Sequence, residues 1–547
     1  DGTLQDTRRV DGARREKWRV TSEAGIPPGV HRLRIGDAST TVLATPGRAW
    51  QPEMLAQGKC WGIAANLYSA RSEQDWGIGD LSTLGEIVAE TAGRGGALVG
   101  INPLHALFPD RPDHISPYYP SDRRFLEPAY IDVTTMPDYR EVAARDPWFA
   151  TAEREAIPLR AAPLVDYGAV HALKHQAFGR MWAHFRAQHD KPGDPLGDAF
   201  RAFVAEGGDA LQRFAAWPSA DAARYRMFLQ WWADRSLAEA AQGLSIGLYR
   251  DLAVGPAPYG AEAQLCGDAF PSGVSVGSPP DPYSAVGQVW GVPPFDPQAL
   301  RRLRYAPWRD LIRANMRHAG ALRLDHVMGL ERLLWIPEGA TALQGAYVRN
   351  DSAALLAIIA IESHRRKCLV VGEDLGTVPS GFRARMAAAG LYAMSVILFE
   401  RDGAGFAPGS RYPRQSVAMF GTHDLPPLQG WWKAHAEDGD GTAMAAALKL
   451  DPQRAHDPAA RSAAAHAFLG QSESAIALAQ YDDLAGETEP VNVPGTTTEH
   501  PNWRRRTAKS VAGVFEAPEG ARGAEAIAKG RKSHKDTVRE PAPTPKG

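Results

Sequence analysis

Three carboxylates stand where short apolar runs end. Asp325 follows Ala321-Leu322-Arg323-Leu324, Glu373 follows Leu369-Val370-Val371-Gly372, and Asp424 closes Met419-Phe420-Gly421-Thr422-His423. Facing acids without an obvious metal suit cleavage of a glycosidic bond. One carboxyl protonates the leaving oxygen while a carboxylate opposite attacks or shields the oxocarbenium-like carbon. A neighbouring like charge and partial burial both raise the acid's pKa and keep it protonated near neutral pH. Arg323 lies two residues before Asp325, so a strand would put both on one side, where the guanidinium can hold Asp325 ionised and oriented. Two other readings stand beside this one. Acids at strand ends often cap the following helix, and His326 and His423 with the acids could ligate a divalent ion. No paired-histidine spacing such as HExxH supports the metal.

For these acids to meet, the chain must bring its strand ends together. Apolar runs at 60–67, 97–104, 246–254, 321–327, 368–373, 394–399, 415–423 and, more weakly, 490–493 each end in a polar loop, with helical stretches such as 352–366 between several. Nearly continuous apolar strands alternating with helices imply a parallel sheet covered on both faces. Eight of them predict an α/β fold, a (β/α)8 TIM barrel, whose active face gathers every strand C-terminus; the count alone also allows an open doubly wound sheet.

The barrel segment, 52–509, exceeds the usual size of roughly 250 residues, so insertions are required. One is a large, mainly helical insertion at 134–243, with helices at 170–189, 196–206 and 225–242. A second, at 255–297, is dense in Gly and Pro and reads as a lid or binding loop. Alternation at 30–35 and 40–44 predicts a partial N-terminal β domain over 1–51. The stretch 510–547, rich in Ala, Gly, Lys and Pro, reads as a disordered tail.

The 547 residues carry 61 basic against 63 acidic side chains, which argues for an uncharged substrate and no nucleic-acid partner. The basic runs at 504–506 and 531–535 therefore read as solvated surface. No apolar run approaches the ~20 residues that span a bilayer, and no basic-then-apolar leader is visible, so no membrane association is expected. Cys60, Cys266 and Cys368 are too scattered for a disulfide framework, which suits a reducing, cytoplasmic compartment. Of the 15 tryptophans, most belong in a core, and those in Gly/Pro-punctuated segments are candidate sugar platforms.

The segments Arg323-Leu324-Asp325-His326-Val327-Met328-Gly329-Leu330, Val371-Gly372-Glu373-Asp374-Leu375-Gly376-Thr377-Val378-Pro379 and Thr422-His423-Asp424-Leu425-Pro426 resemble the signature segments of the 4-α-glucanotransferases. These amylomaltases or disproportionating enzymes form glycoside hydrolase family 77 of the α-amylase clan. Trp76-Gly77-Ile78-Gly79-Asp80-Leu81, Ser116-Pro117-Tyr118-Tyr119-Pro120-Ser121, Gly247–Gly255, Gly287-Gln288-Val289-Trp290-Gly291 and Pro501-Asn502-Trp503-Arg504-Arg505-Arg506 extend the likeness over 51–506.

The resemblance implies transfer of α-1,4-glucan (maltooligosaccharide) segments to the 4-hydroxyl of an acceptor by a retaining double displacement, with no cofactor and no metal. It implies Asp325 as nucleophile, Glu373 as general acid/base, and Asp424 as the third carboxylate, gripping the donor sugar's hydroxyls. It puts Arg323, His423, Tyr118 and Asp251 at the donor sugar and Trp290 on a shielding loop. Retention implies a separation of about 5–5.5 Å between the Asp325 and Glu373 carboxyls. Only about 50 residues precede the barrel, and the Trp often found soon after a Gly260-Ala261-Glu262 motif is absent. The alternatives are an α-amylase-like hydrolase and a non-catalytic glucan-binding protein; the presence of all three acids counts against the second. No oligomeric state follows from the sequence.

Overall fold

The computed structural model describes residues 2–20, 25–280, 285–403 and 405–532. Eight strands make one sheet: β1 (Cys60–Ala65), β2 (Leu98–Ile101), β3 (Gly247–Leu252), β4 (Ala321–Leu324), β5 (Leu369–Gly372), β6 (Ala393–Val396), β7 (Ser416–Met419) and β8 (Ile476–Gln480). The order is β5-β4-β3-β2-β1-β8-β7-β6, and every neighbouring pair is parallel. Tyr392 closes the ring, since Gly372 N donates to its carbonyl at 2.8 Å and its own N donates to Val370 O at 2.9 Å. The sheet is therefore a barrel and not an open doubly wound sheet.

One strand differs from expectation. The eighth is Ile476–Gln480, and no strand forms at 490–493. The run Ile-Ala-Leu-Ala-Gln carries little intrinsic β preference; burial between β1 and β7 makes it a strand.

Helix α1 (Leu81–Gly93) follows β1, and the helical insertion lies between β2 and β3. It comprises α2 (Tyr139–Arg145), α3 (Trp148–Ala161), α4 (Tyr167–Gln188), α5 (Pro195–Ala216) and α6 (Ala223–Ala240). Phe149, Phe178, Phe185, Phe200, Phe228 and Trp231 give it a core of its own. Helices α7 (Ala306–Asn315) and α8 (Ser352–Arg366) follow β3 and β4.

The tail begins otherwise than expected. After α9 (Pro458–Gln471), the chain past residue 510 forms α10 (Val511–Glu516) and α11 (Pro518–Lys532), and α11 packs along α9 and onto β1 and β8. The small residues that suggested disorder instead allow close approach. A Cβ on Gly530 would lie 2.7 and 2.8 Å from the Gly470 backbone, and one on Gly523 would lie 2.7 Å from Ser462 Oγ. Ile527 and Ala524 are buried in this seam, and Arg531, read as solvated surface, is buried too and donates to Ser472 O and Ser474 O. Arg506 likewise is buried, pairing with buried Asp75 at 2.8 Å. The remainder of the expected tail, 533–547, lies outside the described residues.

The segment 255–297 is less irregular than its composition suggests. Val274–Ser278 pairs antiparallel with Gln288–Val289 and with Arg332–Pro337, which pairs with Ala346–Arg349. Arg332–Pro337 and Ala346–Arg349 come from the loop after β4, so residues distant in the chain complete this small sheet. At the N-terminus, Gly2–Val10 with Ala13–Val20 and Gly29–Ile35 with Ala38–Ala44 form two separate hairpins, the second resting on α8. Among the described residues, no helix is long and apolar enough to cross a membrane.

Candidate active site

The register of β3, β4 and β5 places the acids. Arg323 is paired across the sheet with Asp251 on one side and Val371 on the other. Two residues further, on the same face, come Asp325 and Glu373, each just beyond its strand's C-terminal end. Backbone bonds extend the register past the strands: Glu373 N donates to Leu324 O at 3.0 Å and Val327 N to Glu373 O at 3.0 Å. None of the three acids is a helix N-cap: the elements that follow are capped by His326, Gly381 and Pro427.

Arg323 organises the donor side. Its Nη1 donates to both oxygens of Asp251, at 2.7 and 2.8 Å, and Nη2 lies 2.8 Å from Asp325 Oδ1. Tyr118 Oη donates to Asp251 Oδ2 at 2.5 Å and stands 3.2 Å from His423 Nδ1. The Tyr118 and His423 rings stack with centroids 4.6 Å apart. His423 Nε2 then faces Asp424 Oδ2 at 3.3 Å. One continuous polar chain thus joins Asp325, Arg323, Asp251, Tyr118, His423 and Asp424.

Burial and charge separate the protonation states of these acids. Burial raises Glu373, Arg323 lowers it and the Asp325 charge raises it again, so its carboxyl is pushed up to about 7. Two backbone donors, His326 N at 2.9 Å and Leu375 N at 2.8 Å, hold that carboxyl in place. Burial also raises Asp325, opposed by the Arg323 guanidinium. Burial lowers His423, but Asp424 reverses this and leaves it above its ordinary value. Asp424 falls below its ordinary value, because His423 and Asn492 outweigh burial. The site therefore holds a carboxyl raised toward neutrality beside a second carboxyl paired with arginine, the two groups glycosidic cleavage uses.

This geometry coincides with a family assignment. The sequence profile described as 4-alpha-glucanotransferase matches residues 65–220 and 218–510. The chain belongs to that family. It is similar to a 4-alpha-glucanotransferase of Haemophilus influenzae, 32% identical over 91% of this chain and 83% of that protein. One from Mycobacterium tuberculosis is 35% identical, over 88% of this chain and 76% of that protein. Among solved structures, the amylomaltase from Corynebacterium glutamicum superposes with a TM-score of 0.86 at 28% identity, covering 96% of this chain and 84% of that one. The amylomaltase from Streptococcus agalactiae in complex with acarbose shares the fold, with a TM-score of 0.69 at 17% identity over 87% of this chain and 99% of that one.

Within this family member, three further residues join the constellation. Asn492 Nδ2 donates to Asp424 Oδ1 at 2.6 Å. Its segment, 490–493, signals only a weak apolar run, and nothing local marks the side chain as a partner. Trp503 is buried with its ring centroid 5.5 Å from both Tyr118 and His423; its motif was visible, but its proximity to the site was not. His326 adopts a left-handed φ of 45°, an uncommon conformation for a residue with a side chain, and this directs its N–H to Glu373. Its ring, lowered to about 4 by burial, is neutral and meets Trp290 edge-on at 5.0 Å.

Trp290 sits half-buried on the small antiparallel sheet, its Nε1 donating to Gln288 Oε1 at 3.0 Å. Of the eight expected site residues, six form the polar chain of the barrel mouth, Glu373 lies beside it on backbone donors, and Trp290 stands apart on the small sheet. Among the described residues, His326, His423 and the acids do not bring ligand atoms within reach of one ion, which disfavours the metal reading of these side chains.

Proposed function

We propose that this 4-alpha-glucanotransferase moves segments of α-1,4-glucan from a donor to the 4-hydroxyl of an acceptor glucan or glucose by a retaining double displacement. Asp325 attacks the anomeric carbon while Glu373 gives its proton to the departing glycosidic oxygen. The C–O bond to the leaving sugar breaks as the bond to Asp325 forms. Glu373, now ionised, takes the proton of the acceptor hydroxyl, which displaces Asp325 and restores the α configuration. Arg323 keeps Asp325 anionic and aimed, while Asp251 and Tyr118 fix Arg323 and His423. Asp424, His423 and Asn492 offer charged and neutral acceptors and donors to the donor sugar's hydroxyls.

The carrying observation is the pairing of Glu373, raised to about 7, with an Asp325 bound to Arg323. Transfer in place of hydrolysis requires an acceptor sugar oriented far better than competing water. The small sheet bearing Trp290 beside His326 supports a shield that excludes water and stacks an acceptor ring. Three cysteines without a disulfide, two of them buried, fit a reducing, cytoplasmic setting.

Incubation with maltotriose tests the reading. A ladder of longer maltooligosaccharides with released glucose supports it, and Asp325→Asn and Glu373→Gln abolish the ladder. Products only shorter than the substrate favour a hydrolase. A wild-type chain that binds maltotriose without turning it over favours a binding protein.

A further inference from the structure

The helical insertion carries a second cluster of ligand-type side chains, unconnected to the carboxylates of the barrel mouth. Asp138 precedes α2, His184 lies near the end of α4, and His189 caps that helix. Asp138 Oδ2 is 3.1 Å from His184 Nε2 and 2.6 Å from His189 Nε2. One ligand atom from each of the three lies within 4.8 Å of the others. Behind His189, Nδ1 stands 3.1 Å from both oxygens of Asp194. Asp194 is itself fixed, accepting the N–H groups of Leu196 and Gly197 at the start of α5 at 3.0 Å.

A carboxylate therefore faces each ring nitrogen of His189. When Nδ1–H of a neutral His189 donates to Asp194, Nε2 bears a lone pair directed at the Asp138 oxygen, so a cation held between the two atoms satisfies both. His184 presents a second Nε2 to the same oxygen. Among the described residues, neither Asp138 nor Asp194 pairs with a lysine or arginine; the nearby Arg201 and Arg224 are taken by Asp190. One divalent ion serves both ring nitrogens and the carboxylate oxygen together. An outer carboxylate on the remote nitrogen of a ligating imidazole is the usual device for fixing its tautomer and raising its basicity.

We propose that Asp138, His184 and His189 bind one divalent transition-metal ion of the zinc class, oriented by Asp194 and separate from the glucan site. Two imidazoles and a carboxylate suit such an ion, with water completing the coordination. Bonds of about 2.0–2.1 Å set tetrahedral ligand atoms about 3.3 Å apart, so the two Asp138 contacts lengthen by less than about 1 Å to take it. The ion ties the start of α2 to the end of α4 and, through Asp194, to the start of α5. It thereby staples three helices of the insertion.

The test titrates Zn2+ into the untagged chain, stripped with EDTA, in competition with a chromophoric chelator. The expected result is one tight Zn2+ per chain, lost in His184→Gln and in His189→Gln. Asp194→Asn keeps an oxygen to cap α5 and weakens binding about 10–100-fold. Zinc raises the melting temperature of the wild type and of neither histidine variant, while maltotriose turnover stays unchanged. Co2+ added to the wild type alone gives the visible spectrum of a low-coordinate, nitrogen-ligated ion, a readout independent of how the variants fold. Absence of stoichiometric binding overturns the proposal, as does equal affinity in the wild type and both histidine variants.

Discussion

Replacing Glu373 by Gln should make the protein more stable relative to wild type as pH rises, because the acid proposed for catalysis is held where its charge is unwelcome. Its carboxyl is shifted from an ordinary 4.5 to about 7 in the folded chain. A carboxyl whose folded pKa is raised binds more protons in the native state than in the unfolded state between those two values, so stability falls as pH increases through that window. The full penalty above pH 7 is about 3 kcal/mol, at 1.36 kcal/mol per pH unit. Between pH 5 and pH 8 the gap between Glu373→Gln and wild type should therefore widen by about 2–3 kcal/mol in the variant's favour.

The amide also misfits one of the two backbone donors, His326 N and Leu375 N. That cost of about 1–3 kcal/mol shifts the gap by a constant and leaves its slope with pH untouched. At roughly 2.1 cal/mol/K of unfolding entropy per residue, a chain of this length converts about 2–3 kcal/mol into about 2–3 °C. Paired calorimetric or urea melts of both proteins at pH 5, 6, 7 and 8 measure it. A gap that stays constant across this range refutes a raised Glu373 and with it the acid–base assignment.

Other expectations follow from the same geometry. Because Glu373 must carry its proton for the first displacement, kcat/KM on maltotriose should fall about tenfold per pH unit above a basic limb near 7, read from a pH–rate profile. Trp290→Ala, which opens the face beside His326, should raise the ratio of hydrolysis to transfer in a product assay; an unchanged ratio removes the shield argument. Tyr118→Phe keeps the stacked ring but deletes a hydrogen bond to the Asp251 carboxylate, worth about 1.5–3 kcal/mol, and should lower kcat/KM about 10–100-fold. Gly530→Val would force Cβ into the Gly470 backbone and should cost about 1–3 kcal/mol in a urea melt, whereas an indifferent result would mean that α11 does not dock on α9.

The sequence alone pointed to glycosidic chemistry and to a parallel α/β sheet, while closure of that sheet into a barrel was decided by the tertiary structure. Apolar runs ending in Asp325, Glu373 and Asp424 required a fold that gathers strand ends, and Arg323 two residues before Asp325 required a shared face. Those are local facts of residue type and period, which survive without coordinates. Tertiary structure decided what depends on partners distant in the chain. Asn492 reaches Asp424 from a loop without local signal, and His326 serves Glu373 through its backbone, which side-chain identity does not encode. Ile476–Gln480 becomes a strand through burial between two others, and the Gly- and Ala-rich end becomes a helix because its small residues fit against α9. Composition reports how a segment behaves in water. Only the neighbour it meets decides whether a small side chain means looseness or a close fit.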